Sequence, residues 1–158
     1  MASINIDEEF VTNVTGNKPV ACTCAACVSL CKKSPCTGTP AEILRLINNG
    51  LIYRIQPAFY AAYVTIPISM YTVSFDYSKQ SCTFLDNDRC ELHTVELKPL
   101  EGRFTDCGIA NRPKGKLPLP YAVALTWTVE ENAKAIKLIR YAMSKRIGIE
   151  ENIHGFVQ

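Results

Sequence analysis

The sequence predicts a small single α+β domain with a short antiparallel sheet, two main helices and cysteine-rich metal-binding loops. Three observations carry that expectation. Thr39-Pro40-Ala41-Glu42 opens an amphipathic run that Gly50 closes, a stretch rich in Tyr, Ile, Val and Thr broken by prolines fills 51 to 77, and Thr128-Val129-Glu130-Glu131 precedes the clearest helical periodicity in the chain. With 158 residues, 47% of them apolar, the chain is long enough to bury one core.

Residues 1 to 21 are polar and contain Thr15-Gly16-Asn17-Lys18-Pro19, which predicts an N-terminal arm leading into a single domain over 22 to 158. Cys22, Cys24, Cys27, Cys31 and Cys36 then fall within 15 residues. Part of this run suits a helix, but Pro35 stops one before Cys36. The helix expected at about 40 to 49 has Thr39 as N-cap, Pro40 at its first position, Glu42 placed for a reciprocal capping box, and Gly50 at its end. Its apolar stripe is Ile43, Leu44, Leu46 and Ile47.

Pro57 and Pro67 divide the next segment, so short strands are expected near 51 to 55, 61 to 66 and 69 to 76. Cys82 to Cys90 predicts a hairpin turning at Asp86-Asn87-Asp88, with a return strand that begins Cys90-Glu91-Leu92-His93 and brings Cys82 near Cys90. Residues 108 to 120, with three prolines and two glycines, form a connector. Tyr121 to Trp127 suits a strand or a buried extended segment, and a helix with Ile136, Ile139, Met143 and Ile147 on its apolar face follows to about Arg146.

A formal charge of +2 with interspersed signs offers no field for non-specific nucleic-acid or anionic-membrane binding. Lys32-Lys33, Arg112, Lys114 and Lys116 are few and not interleaved with aromatics, so nucleic acid is a disfavoured partner. The N-terminus lacks a basic region followed by an apolar one, and no segment runs about 18 apolar residues, so a cytoplasmic location is expected, neither secreted nor membrane-spanning.

In a reducing cytosol eight cysteines are not explained by durable disulfides, and inert burial suits one or two rather than eight. A tetrahedral zinc site or an iron–sulfur cluster needs soft thiolates converging on a point, and close pairs supply them with little loss of chain entropy. Cys24-x2-Cys27 has knuckle spacing, and Cys24, Cys27 and Cys31, at i, i+3 and i+7, would share one face if that stretch is helical, though either conformation lets them converge. The candidate ligands are Cys22, Cys24, Cys27, Cys31, Cys36, Cys82, Cys90 and Cys107, with Cys22 the weakest. Two zinc sites, a cluster plus a zinc, or one centre with bridging sulfurs all fit eight thiolates. His93 has spacing for a mixed site but reads as a surface or supporting histidine, and His154 as solvent-exposed.

Cys24-x2-Cys27-x3-Cys31, Cys36 ahead of Thr39-Pro40-Ala41-Glu42, Cys82-Thr83-Phe84-Leu85, Arg89-Cys90-Glu91-Leu92-His93, and Lys98-Pro99 before Cys107 together resemble the YkgJ-type cysteine-cluster family. That resemblance spans roughly residues 22 to 107 and implies a zinc- or iron-chelating domain with Cys24, Cys27, Cys31, Cys36, Cys82, Cys90 and Cys107 as ligands. The chain departs from the pattern in separating Cys31 from Cys36 by Lys32-Lys33-Ser34-Pro35. Relatives include flagellin lysine methylases with an iron–sulfur cluster, but no methyl-donor or lysine site is legible here. Nor is there a Gly-rich phosphate loop, a His-Glu-x-x-His helix or a Gly-x-Ser-x-Gly elbow. The expected function is therefore a metal-binding protein whose zinc is structural, serving as an interaction or scaffold module for an unknown protein partner. The alternative is an iron–sulfur protein with a redox or enzymatic role.

Overall fold

A computed structural model describes residues 6–19, 25–62, 64–105 and 116–155. They form an α+β domain of helices and three separate two-stranded antiparallel sheets. Helix α1 spans Ile6–Thr15, α2 Ala25–Cys31 and α3 Pro40–Asn48; strands β1 (Ile55–Tyr60) and β2 (Ile68–Val73) pair next. The pairs β3 (Phe75–Asp76) with β4 (Ser81–Cys82) and β5 (Leu85–Asp86) with β6 (Arg89–Cys90) follow. Short helices α4 (Glu91–Thr94), α5 (Leu100–Phe104) and α6 (Leu119–Leu125) lead to the long α7, Ala133–Gly155.

Helix α3 forms as its signals predict. Thr39 Oγ1 accepts from the Glu42 amide at 3.3 Å while Glu42 Oε1 accepts from the Thr39 amide at 3.0 Å, a closed capping box. At the other end Gly50 adopts φ +80°. The Gly50 amide bonds the Ile47 carbonyl and the Leu51 amide the Leu46 carbonyl, the paired bonds of a Schellman ending.

Helices α3 and α7 pack on each other and on the β1–β2 hairpin, burying Ile43, Leu46, Ile55, Val73, Ile139 and Met143 around Trp127. Trp127 Nε1 donates to the Gly38 carbonyl at 2.9 Å, and Arg146 Nη1 donates to the Ile52 and Ile55 carbonyls at 2.7 and 2.9 Å. A second cluster joins Val11 of α1 to Leu100, Phe104, Leu119, Ala122 and Val123 of α5 and α6.

Several expectations are corrected. The N-terminal arm expected over residues 1 to 21 is helical from Ile6, and Val11 is fully buried among Leu100, Phe104, Leu119, Ala122 and Val123, while Glu8 pairs with Arg103 at 3.1 Å and Asp7 accepts from Asn132 Nδ2 at 3.1 Å. No strand occupies 61 to 66: Tyr60 opposite Ile68 leaves 61–67 as the hairpin connection, of which residue 63 is not described. Pro57 does not interrupt β1, since that strand has a partner on one side only and its missing N–H costs no ladder bond on the other. The strand expected at 69 to 76 breaks at Ser74, whose amide bonds the Arg54 carbonyl and whose carbonyl takes the Thr83 amide, so β2 and β3 pair with different neighbours.

The segment from Tyr121 is helix α6, not a strand: Pro118 and Pro120 sit at its start, where their missing donors are harmless. Val129, not Thr128, precedes a 3₁₀ turn at Glu130–Asn132 with no side-chain cap, while Thr128 Oγ1 donates back to the Leu125 carbonyl. Helix α7 also continues past Arg146 to Gly155. The connector expected at 108 to 120 lies outside the described residues as far as 115.

Candidate metal centre

Cys27 and Cys31 stand one helical turn apart on α2, and both line a cavity of about 700 Å³. A turn over Lys32–Ser34 and then Pro35 end this helix, sending the chain extended into Cys36. The Cys36 carbonyl accepts from Thr72 Oγ1 of β2 at 2.9 Å. Its neighbour Thr37 bonds twice to α5: the Thr37 carbonyl accepts the Glu101 amide at 3.0 Å, and the Thr37 hydroxyl donates to Glu101 Oε2 at 2.6 Å. Cys36 is thus clamped between β2 and α5. A Cβ on Gly102 would come within 3.2 Å of Cys36 Sγ and 2.9 Å of Lys98 Cε, so this glycine is what lets the sulfur and the lysine stem meet over α5.

Glu42 reaches the same region from α3. Besides capping its own helix, its Oε1 accepts the Leu100 amide at 3.1 Å, and its Oε2 takes Arg103 Nη2 at 2.7 Å. One carboxylate therefore caps α3 and α5 together and sets the Lys98-Pro99 step beside the Cys36 loop.

The later cysteines arrive on hairpins. Cys82, only 4% exposed, lies opposite Phe75 in β4, and Arg54 stacks its guanidinium 3.9 Å above the neighbouring Phe84 ring while pairing with Glu91 at 2.8 Å. Cys90 lies opposite Leu85. The turn joining those strands places Asn87 at φ 49° and Asp88 at φ 61°, the left-handed pair that a two-residue hairpin requires and that Asn and Asp tolerate. Asp88 pairs with Lys32 at 3.1 Å, tying this hairpin to the end of α2. The hairpin expected from Cys82 to Cys90 is accordingly shorter, with Cys82 pairing back to β3. Its return strand ends at Cys90, and His93 sits exposed on the α4 turn.

Cys31, Cys36, Cys82 and Cys90 lie near enough to one another for their charges to interact. Burial pushes the Cys36 thiol well above its usual value, and the neighbouring Cys82, Glu101, Cys90 and Cys31 add to that. Burial likewise raises Cys31, reinforced by Cys90 and opposed by Lys98. It pushes Cys82 up to about 11, against a hydrogen bond from the Phe84 amide. Desolvation favours the neutral S–H, so in the metal-free protein these three groups are thiols at neutral pH. The five described cysteines are free of disulfides. Among the described residues no group of three or more His, Cys, Asp and Glu side chains is set to hold a metal ion.

Of the eight cysteines expected as ligands, Cys31, Cys36, Cys82 and Cys90 lie near one another and Cys27, Cys31, Cys36 and Cys90 line the cavity, whereas Cys22, Cys24 and Cys107 lie outside the described residues. His93 lines the cavity from an exposed position, and His154 falls on α7 with its side chain outside the described set. Two residues escaped sequence reasoning. Glu101 lines the cavity with a carboxyl that burial raises to about 7, against its bonds from Thr37. A lone acid in a five-residue helix gives no periodic signal of this. Lys98, visible in sequence only as half of a Lys-Pro step, projects into the same cavity and makes no ion pair among the described residues.

No helix among the described residues is long and apolar enough to cross a membrane. Comparison with family models, with curated proteins and with solved structures finds no match to this chain.

Proposed function

We propose that this chain is a metal-binding cysteine-cluster protein whose centre draws on Cys31, Cys36, Cys82 and Cys90, with zinc as the ion and a structural role for it. The observation that carries this reading is the proximity of four thiols from α2, the Cys36 loop, β4 and β6, near enough for their charges to interact although up to 59 residues apart in sequence (Cys31 to Cys90). All-sulfur donors suit zinc or an iron–sulfur cluster. Burial keeps the Cys31, Cys36 and Cys82 thiols neutral without metal, and an ion that displaces their protons would supply the electrostatic reason to close on a common point. Ligands of the early and late cysteine groups would thus mix in one centre. Cys22, Cys24, Cys27 and Cys107 are then the donors left for a second zinc.

A structural role is supported by the elements that carry the sulfurs. Strands of two residues do not hold themselves together in water, and an ion bridging them would. The centre would then fix a scaffold for a protein partner. A second reading, an iron–sulfur centre with a redox or enzymatic role, draws support from the cavity of about 700 Å³ beside the thiols, which a closed structural site does not need.

Metal quantification and a visible spectrum, taken on protein produced anaerobically with both iron and zinc supplied, test both readings. Near-stoichiometric zinc in a colourless protein, lost in Cys36→Ser and Cys90→Ser, is the expected result. A visible band bleached by dithionite would replace zinc with a cluster, and full metal content in both variants would remove these cysteines from the site.

A further inference from the structure

The cavity bordering the thiols has the size and lining of a small-molecule site. Its volume of about 700 Å³ lies within the roughly 300–1,000 Å³ of ordinary ligand pockets. Val28 and Leu30 of α2, Leu85 of β5, and Leu119 and Pro120 at the start of α6 supply apolar walls. Against these walls stand a few charged groups, and their pairing is unequal. Of the two acids, Asp88 is held by Lys32 at 3.1 Å and Glu101 by the Thr37 hydroxyl at 2.6 Å. Of the cations, Lys98 and Arg89 make no ion pair among the described residues. Lys98 is half-buried, its stem laid along Gly102, so its ammonium is presented by packing rather than left waving in solvent.

We propose that this cavity binds a small amphipathic carboxylate, its head on the Lys98 ammonium with Arg89 at the rim, and its hydrocarbon part between α2 and α6. A half-buried cation with no carboxylate partner among the described residues lacks its best counter-charge there, and a ligand carboxylate provides that charge together with a charge-assisted hydrogen bond. The apolar walls select a monoanion carrying hydrocarbon over a compact, strongly hydrated phosphate. The inference deepens the metal-centre reading and rests on it for placing the ligand beside an ion, because Cys31, Cys36 and Cys90 line both. Binding to Lys98 does not itself require the ion.

Octanoate, octylammonium and inorganic phosphate titrated calorimetrically into full-length protein, with metal content measured on the same sample, provide the test. Expected are saturable octanoate binding at one site, none for octylammonium or phosphate, a loss of about tenfold or more in Lys98→Met, and recovery in Lys98→Arg. Amide shift changes in the wild type should centre on Leu30, Leu85, Gly102 and Leu119, a readout that does not depend on how the variants fold. Absence of saturable octanoate binding, equal binding of octylammonium, or shifts elsewhere would overturn the proposal. Protein that holds metal but no octanoate defeats this inference alone, whereas protein that binds octanoate and takes up no metal defeats the metal centre alone.

Discussion

Ile43 and Leu46 on α3 meet Ile139 and Met143 on α7 through side chains that are almost wholly removed from water, over helices of nine and twenty-three residues. Packed against that same core through Cys82, Phe84 and Leu92, β3–β4 and β5–β6 pair only two residues per strand, and the groups lining the cavity beside α2 include thiols, a carboxyl and a lysine. The first region draws its stability from apolar burial and dispersion, which need no ligand. The second gathers polarizable, titratable groups, among them the Cys31, Cys36 and Cys82 thiols that burial keeps neutral, on short strands that gain little from backbone pairing. A protein that places a weakly supported lobe against a well-packed one can let an ion or ligand order the lobe without risking the whole fold.

The largest expected effect separates the two regions by their dependence on metal. Cys36→Ser should lower the unfolding free energy of metal-loaded protein by more than about 4 kcal/mol, and chelated wild type should fall to nearly the same value in urea titrations. Ile43→Ala, in the other region, should cost about 2–5 kcal/mol with or without chelator, because its cavity forms between α3 and the hairpin. If its cost depends strongly on metal, the contrast fails.

Glu101 adds a pH signature to the cysteine lobe. Its folded-state value of about 7 exceeds the ordinary 4.5, so the native metal-free protein holds this proton more tightly than the unfolded chain. The resulting stability is fully present below about pH 4.5 and is lost as pH rises through 7. Glu101→Gln should flatten that loss, which is on the order of 3 kcal/mol at most. Comparing urea midpoints of wild type and variant at pH 5 and pH 8 measures it; parallel profiles would mean Glu101 titrates normally.

Glu42 bridges the two regions by capping α3 and α5 at once. Glu42→Gln should therefore cost about 1–2 kcal/mol and weaken metal retention slightly, since α5 positions the Cys36 loop through Glu101 and Thr37. Metal analysis alongside denaturation distinguishes this linked effect from a purely local cap. Smallest of all, His93→Ala on the exposed α4 turn should leave metal content unchanged, and a stoichiometric loss would make it a ligand.

What the sequence determined by itself is local. The capping box at Thr39 and Glu42, the Gly50 ending, the Asn87-Asp88 turn and the buried stripe of α7 follow from neighbours a few residues apart, whose hydrogen bonds and periodicity do not depend on the rest of the fold. The crowd of cysteines was likewise legible, as a chemical inventory. Tertiary structure alone decided the groupings. Tyr121 to Leu125 became helical because α1 and α5 offered it a buried groove, overriding a pattern that suits a strand equally well. Ile6–Thr15 became part of the core through Val11's packing on α5 and α6, joined by an ion pair and a hydrogen bond to residues about 95 and 125 positions away. The association of Cys31 and Cys36 with Cys82 and Cys90, across the two groups as well as within them, depends on long-range contacts: Thr72 with Cys36, Glu101 with Thr37, Lys32 with Asp88. Spacing along a chain limits which thiols can meet, but which of them do meet is set by packing between elements distant in sequence.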